Sequence, residues 1–209
     1  MSELPDPLSR RDRQQQTREA LIFAARSVFA EDGYHAASLD RIAREAGFSK
    51  GAVYSNFDGK SALFLAVMDR NLELAEADRT DPFEQTTNPA STGHDVAERE
   101  GYPPAATQGF ALATLEFIAS AARDETIAPQ LHQRLVAVLD YYNAIAQKAR
   151  AEHETLAVSD VGKLLAALDQ GAGLIQLAGD VAPDPELFNV GMRRLLDPAR
   201  SVTEKESNT

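Results

Sequence analysis

The sequence has no cysteine among its 209 residues. This absence excludes a disulfide framework, a thiolate zinc site and a cysteine nucleophile. The four histidines lie far apart, and neither a serine nucleophile motif nor a glycine-rich phosphate loop is visible. We therefore expect a protein that is not an enzyme, with no catalytic residues, no metal site and no cofactor.

Long apolar runs are also lacking. The longest, at 62–68 and 109–115, are far shorter than the roughly 20 residues that a membrane-crossing helix needs. No apolar stretch with a small-residue cleavage site follows Arg10, Arg11 and Arg13, so the start of the chain does not have the pattern of an export signal. We expect a cytoplasmic protein without a membrane span.

Basic residues are scarce and unevenly placed. The net charge is -11, yet residues 1–60 hold nine basic and nine acidic side chains, and the whole excess of acid lies in residues 61–209. Because a phosphate-binding surface needs Lys and Arg, only the first part could face nucleic acid. Eight of its nine cations form two groups, one near the start and one from 41 to 60: Arg10, Arg11, Arg13 and Arg18, then Arg41, Arg44, Lys50 and Lys60. The first group is either a basic arm that reaches DNA or a solvated end, and the sequence leaves both open.

No segment shows strand periodicity, whereas apolar residues recur at spacings of three and four along most of the chain. The pattern predicts helices at 17–30, 39–46, 49–57 and 60–77, with Ser38 and Ser49 as N-caps and Gly33 and Gly47 as stops. The fold class is therefore all-α. We expect a three-helix helix-turn-helix domain at 1–60, a helical regulatory and dimerisation domain at 61–200, and a polar tail at 201–209.

The second half begins with a change of composition. Residues 80–104 are rich in Pro, Thr, Ser, Gly, Asn and acidic residues, which predicts a loop with one short helix at 94–99. Helical periodicity then returns at 105–122, 127–153 and 161–179. Asp184 and Pro185 are a good N-cap and first residue for a last helix that ends at Leu196.

Residues 38–57 have the spacing of a helix-turn-helix, in which two short helices meet at a fixed angle and the second enters the major groove. Ala43 is the small residue where the helices cross, Gly47 supplies the turn, and Val53 anchors the second helix from beneath. Ile42 and Phe48 are expected to fill the same small core. The remaining side chains of the second helix are free for an outer face.

Gly51 lies on that outer face. A glycine inside a helix costs about 1 kcal/mol relative to alanine, so a purely structural helix would gain by losing it. A glycine here would instead serve DNA binding, because a backbone without a Cβ can come near a base or a phosphate.

The residues from 25 to 63 closely resemble the N-terminal domain of the TetR family of bacterial regulators. The resemblance covers about residues 12–70 and is carried by many matches at fixed spacing: Phe29, Gly33-Tyr34, Ser38, Ile42-Ala43, Ala46-Gly47-Phe48-Ser49, Gly51, Val53-Tyr54, Phe57 and Lys60. It implies a sequence-specific transcription regulator whose recognition-helix residues are Ser49, Lys50, Gly51, Tyr54, Ser55 and Asn56, with Ser38 beside them and Lys60 on a phosphate. The chain departs from the family at Ala37, where Thr is frequent, and at Asn56, where His is frequent.

Each of these contacts has a simpler alternative. Lys50 and Lys60 are either phosphate contacts or solvated surface cations. Tyr54 is expected to contact a phosphate or base, because its hydroxyl can donate to phosphate while its ring packs on the helix. Phe57, like Val53, is expected in the core.

A helix-turn-helix monomer touches few bases, so we expect a homodimer that reads two half-sites about 34 Å or a multiple apart in a palindromic double-stranded DNA operator. The last two helices are the expected interface, as the family resemblance also implies. Its residues are Val161, Leu165, Leu168, Ala172, Ile175, Phe188, Met192 and Leu195. The alternative is that these residues close the core of the monomer.

Aromatic and hydroxyl side chains on the two helices after the loop are the expected lining of an effector pocket, as in the family: Phe110, Thr114, Phe117 and Tyr142. They could equally be plain core. Two functions stay open from the sequence. One is a repressor released from its operator by a small-molecule effector, and the other is a DNA-bound module whose helical domain recruits another protein.

Overall fold

The computed structural model describes residues 9–77, 104–179 and 181–199, without the side chains of residues 104 and 105. Within these ranges the chain forms eight helices and no strand, which confirms the all-α class. Their bounds are α1 (Arg10–Ala36), α2 (Leu39–Glu45), α3 (Lys50–Asn56), α4 (Lys60–Ala77), α5 (Pro104–Ala121), α6 (Ala128–Ala149), α7 (Val158–Gln176) and α8 (Pro185–Leu196). None of the helices in the described ranges has the length and hydropathy needed to span a bilayer.

Several sequence expectations fall on other parts of the chain. The loop expected at 80–104, apart from residue 104, lies outside the described residues, as do the short helix expected at 94–99 and the polar tail at 201–209.

The first helix is longer than its apolar pattern predicts. It begins in a capping box, where the Ser9 hydroxyl accepts from the Asp12 amide at 3.2 Å and the Asp12 carboxylate accepts from the Ser9 amide at 3.1 Å. Arg10, Arg11 and Arg13 are therefore exposed side chains of the first turns of α1. Gly33 kinks the helix with φ 75°, a left-handed conformation that suits glycine.

The first of two hydrophobic clusters among the described residues joins α1, α4 and α5 and includes residues of α2, α3 and α6. Phe29, Phe64 and Phe117 are fully buried at its centre, with the Phe64 ring centroid 4.8 Å from that of Phe29 and 4.6 Å from that of Phe117. The cluster runs from Leu21 to Leu131 along the sequence. It therefore includes residues on both sides of the domain boundary expected at residue 60.

The second cluster joins α6, α7 and α8. Val161 and Leu165 of α7 are fully buried in it, and Met192 of α8 is 4% exposed. Inside it, the Tyr142 hydroxyl donates to the Asp169 carboxylate. The opposite face of α7 does not enter this cluster, and it exposes Leu164 and Leu174.

We expect Phe117→Ala to lower the free energy of unfolding by about 3–5 kcal/mol, because it leaves a cavity among rings that do not collapse easily. Leu112→Ala is the matched control on the same helix. Its side chain is 46% exposed, so the change should be about 0.5 kcal/mol or less. Urea unfolding followed by circular dichroism at one protein concentration compares the two, and equal losses would contradict the burial of Phe117.

Candidate nucleic-acid interface

The first turn of α2 and the first turn of α3 are each capped by a serine side chain. The Ser38 hydroxyl accepts from the Arg41 amide at 3.2 Å, and the Ser49 hydroxyl accepts from the Ala52 amide at 3.2 Å. Both predicted N-caps are thus confirmed. The turn between the helices passes through Gly47, which has φ 75°.

The small core beneath the motif is largely as predicted. Ile42 and Val53 are fully buried, and Ala43 and Phe57 are 3% and 4% exposed. The expectation that Phe48 fills the same core is wrong, because its side chain is 38% exposed. Its amide donates to the Ala43 carbonyl at 2.8 Å, and this bond holds Phe48 beyond the last buried residue of α2.

One face of α3 is left open to solvent. Ser49, Lys50, Gly51 and Ser55 are exposed, and Tyr54 is 55% exposed. A Cβ at Gly51 would meet only the Ser49 hydroxyl, at 3.6 Å, which is ordinary van der Waals contact. Packing within the described residues therefore does not require a glycine at this position.

The polar side chains of this face already have intramolecular partners. Ser55 and Asn56 both donate to the Ala52 carbonyl, at 2.9 Å and 2.8 Å. The Lys50 ammonium lies 3.0 Å from the Asp40 carboxylate, and this hydrogen bond raises the pKa of Lys50. An incoming phosphate would compete with Asp40 for Lys50.

Lys60 lies at the start of α4, where its ammonium donates to the carbonyls of His35 and Ala37 at 2.9 Å and 3.1 Å. It is also 4.8 Å from the centroid of the Tyr34 ring. Burial lowers the pKa of Lys60, and the charge of Glu116 opposes that shift. Because an ammonium has three protons, one is left over, and the expected phosphate contact stays a prediction.

The remaining cations of the motif differ in their availability. Arg41 forms ion pairs with Glu31 and Asp32, and the hydrogen bond to Asp32 raises its pKa. Within the described ranges no ion-pair partner is found for Arg44, which is exposed on α2. Arg44 is therefore the cation of this motif most open to a phosphate.

Sequence reasoning missed the contacts of Arg18, which it grouped with the basic residues near the start. The Arg18 guanidinium donates to the Asn56 carbonyl at 2.9 Å and lies 4.3 Å from the centroid of the Phe57 ring. Since Arg18 and Asn56 are 38 positions apart, no local spacing indicates the contact.

The structure does not bring together the four residues expected to line an effector pocket. Phe110 and Phe117 are buried in the first cluster, Tyr142 is buried in the second, and the Thr114 hydroxyl donates to the Phe110 carbonyl at 2.9 Å. A cleft of about 430 Å³ lies elsewhere, between α1, α2 and α4.

The residues expected at a dimer interface divide into two groups. Five of them lie inside the second cluster, at most 7% exposed, and so serve the core of the monomer in this structure: Val161, Leu165, Ala172, Phe188 and Met192. Leu168 and Leu195 are half-buried, and Ile175 is 44% exposed. The apolar pattern of α7 covers both of its faces, so the sequence alone could not tell the inner face from the outer one.

Comparisons with known proteins all find similarity to bacterial transcription regulators. The model of bacterial regulatory proteins, tetR family, matches residues 21–67. The transcriptional activator FasR of Mycolicibacterium smegmatis is 46% identical over 56 residues, which are 27% of this chain and 26% of FasR. The transcriptional regulator UidR of Escherichia coli is 37% identical over 70 residues, 34% of this chain and 36% of UidR. These matches thus span about a quarter to a third of the relatives' lengths.

Solved structures share the fold over a longer part of the chain. A TetR-family regulator from Rhodococcus sp. covers 90% of this chain and 98% of its own, with a TM-score of 0.62 at 20% identity. FadR from Bacillus subtilis, solved in complex with stearoyl-CoA, covers 86% of this chain and 97% of its own, with a TM-score of 0.59 at 19% identity. Residues 21–67 thus resemble the bacterial regulatory proteins of the tetR family, and the rest of the chain shares the helical fold of these solved regulators.

Replacing each of the two motif glycines by alanine should change stability in opposite directions. Gly51→Ala should raise the free energy of unfolding by up to about 1 kcal/mol, because the Cβ has room and alanine favours the helix. Gly47→Ala should lower it by about 1–2 kcal/mol, because the left-handed turn strains a residue with a Cβ. Urea unfolding of both variants measures the two changes. A destabilised Gly51→Ala would show that Gly51 has a structural role.

Proposed function

We propose that the protein binds double-stranded DNA sequence-specifically through α3 and regulates transcription as a repressor. The observation that carries the proposal is the exposed face of α3, which presents Lys50, Gly51 and Tyr54 above the buried anchors Val53 and Phe57. With seven residues, α3 is about 10 Å long, and the major groove, about 12 Å wide, admits such a helix.

The roles of the face follow from its chemistry. Lys50 and the Tyr54 hydroxyl donate to phosphates or base edges, and Gly51 lets the backbone of α3 approach the groove. Ser49, Ser55 and Asn56 contribute hydroxyl and amide groups that can exchange their bonds within the helix for bonds to DNA. Ser38 and Lys60 lie at the starts of α2 and α4, beside the exposed face of α3, where the sugar-phosphate backbone of the DNA would pass.

We expect Lys50→Ala to weaken DNA binding and to flatten the dependence of log affinity on log salt by about 0.9, because one phosphate contact is lost. Lys163→Ala is a closely matched control. The Lys163 ammonium lies 3.0 Å from the Asp160 carboxylate, as the Lys50 ammonium does from that of Asp40, but Lys163 is on α7.

The measurement is a salt titration of both variants on a duplex that the wild-type protein selects from a random pool. If wild-type protein selects no duplex, the proposed DNA function is contradicted. If Lys163→Ala flattens the salt dependence as much as Lys50→Ala does, DNA is not bound at α3.

A homodimer on a palindromic operator completes the proposal. The outer face of α7 exposes Leu164, Leu174 and Ile175, and the neighbouring α8 exposes Leu187. Such a row of apolar side chains favours burial against a second copy. The buried group of predicted interface residues then supports this face from beneath, and Ile175, Leu168 and Leu195 lie at or near it.

The double variant Leu174→Glu with Ile175→Glu should be monomeric, because a dimer would bury two unpaired carboxylates on each copy. Both side chains are about half exposed in the single chain, so the fold itself should survive. Leu112→Glu, at an equally exposed position of α5, is the control and should remain a dimer. Light scattering gives the mass of each variant, and a monomeric wild type would contradict the interface.

We further propose that a mostly apolar small molecule releases the repressor from DNA. Two helices of the regulatory part leave apolar side chains in solvent, namely Leu112 and Leu115 on α5 and Leu135 and Val136 on α6. The FadR structure, which carries stearoyl-CoA, supports the idea that this fold can accept an apolar ligand. Reciprocity then requires that the operator lower the affinity for the ligand by the same factor.

Recruitment of another protein is the second candidate. It is favoured by the burial of Phe110 and Phe117 in a shared core, since these side chains would then have no ligand to contact. The same exposed leucines of α5 would form the recruitment surface.

A further inference from the structure

The recognition helix α3 has only seven residues. An isolated helix of this length is not stable in water, because nucleation costs more than its few hydrogen bonds return. The direction in which α3 points is therefore set by its contacts with the rest of the domain.

The N-terminal end of α3 is held by its own motif. Ser49 caps the helix, Phe48 is bonded to the end of α2, and the ion pair of Lys50 with Asp40 joins the two helices at the surface. These contacts fix where α3 starts, and the fully buried Val53 holds its middle against the core. The angle of its far end then depends on the contacts of its last turn.

The C-terminal end is held by Arg18. Its guanidinium donates to the Asn56 carbonyl at 2.9 Å and covers the Phe57 ring at 4.3 Å. Among the described residues, Arg18 is the one side chain outside α3 that donates to an α3 carbonyl. The carbonyls of the last turn have no partner within their own helix, and a cation is favoured there by the helix dipole.

We propose that Arg18 is a positioning residue, which sets the angle of α3 for base reading without touching DNA itself. The proposal rests on the DNA-binding function proposed above. A tilt of about 10° at the start of α3 would move its far end by about 2 Å, whereas a binding site must be held to about 0.5 Å. Losing the hold at Asn56 therefore misplaces Tyr54 and Ser55 relative to the groove.

The geometry of the contact calls for arginine rather than for a positive charge. The planar guanidinium donates through its edge while its face stacks on an aromatic ring, and an ammonium cannot do both. A phosphate contact depends mainly on the positive charge, so a lysine could replace much of what an arginine contributes to it. Arg18→Lys and Arg18→Met together thus separate the two roles.

The first measurement is made on DNA, with the selected duplex and a random duplex of equal length. Arg18→Met should lose at least about tenfold in affinity for the selected duplex, with unchanged affinity and salt dependence on the random duplex, and Arg18→Lys should not restore the loss. Recovery by Arg18→Lys would overturn the proposal. So would an Arg18→Met variant that weakens both duplexes alike and flattens the salt dependence by about one unit, since that is the behaviour of a phosphate contact.

The second measurement needs no DNA. The Phe57 amide donates to the Val53 carbonyl at 2.9 Å, and its hydrogen exchange reports opening of the last turn of α3. In Arg18→Met this amide should exchange about tenfold faster. The amide of Leu21, in the middle of α1, is the internal reference and should keep its exchange rate. Arg13→Met removes a cation from the same helix and should leave Phe57 unchanged.

The two measurements fail in different ways. An exchange rate of Phe57 equal to that of the wild type contradicts a hold by Arg18, whatever DNA does. A wild-type protein that prefers no duplex contradicts the DNA-binding function, and the exchange rates still decide whether Arg18 holds α3.

Discussion

The aromatic contact between α1, α4 and α5 is the interaction on which the rest of the structure depends. Phe64 of α4 stacks on Phe117 of α5 and meets the edge of Phe29 of α1, and all three side chains are fully buried. Ile42 of α2 and Val53 of α3 belong to the same buried cluster. The helices proposed to read DNA therefore share one core with α5, the first described helix of the second half. Protein interiors are close-packed and resist gradual deformation. A displacement of α5 would therefore be expected to shift α2 and α3 as well.

A second connection between α1 and α5 lies where α1 ends. The kink at Gly33 allows the Glu116 carboxylate of α5 to accept from the His35 amide at 3.1 Å, and a Cβ at Gly33 would lie only 2.8 Å from a Glu116 oxygen. On the other side, Lys60 donates to the carbonyls of His35 and Ala37. The peptide units just before the Ser38 cap are thus held from α5 and from α4 at once. This arrangement gives a physical route by which a ligand near α5 would change the placement of α2.

The sequence predicts the features that depend on neighbouring residues. The caps at Ser38, Ser49 and Asp184 and the bounds of α4 and α8 are local in origin, and they agree with the structure. The sequence does not predict the features that depend on packing between distant segments. A buried phenylalanine such as Phe117 has the same pattern in a core as in a pocket lining. Likewise, Leu164 and Leu165 are both apolar, yet one is 44% exposed and the other fully buried, because packing against α6 decides which face of α7 is inner.

Charge pairing bears on how a domain without net charge could select DNA. Arg41 is held by three carboxylates, Lys50 by Asp40, and Lys60 by backbone carbonyls. A phosphate at Lys50 competes with an existing anion, so its net gain would be smaller than at an unpaired lysine. The acidic remainder of the chain, at -11, adds a long-range repulsion from DNA. If DNA binds as proposed, this repulsion would weaken non-specific binding, and base contacts made by α3 would then have to supply more of the affinity.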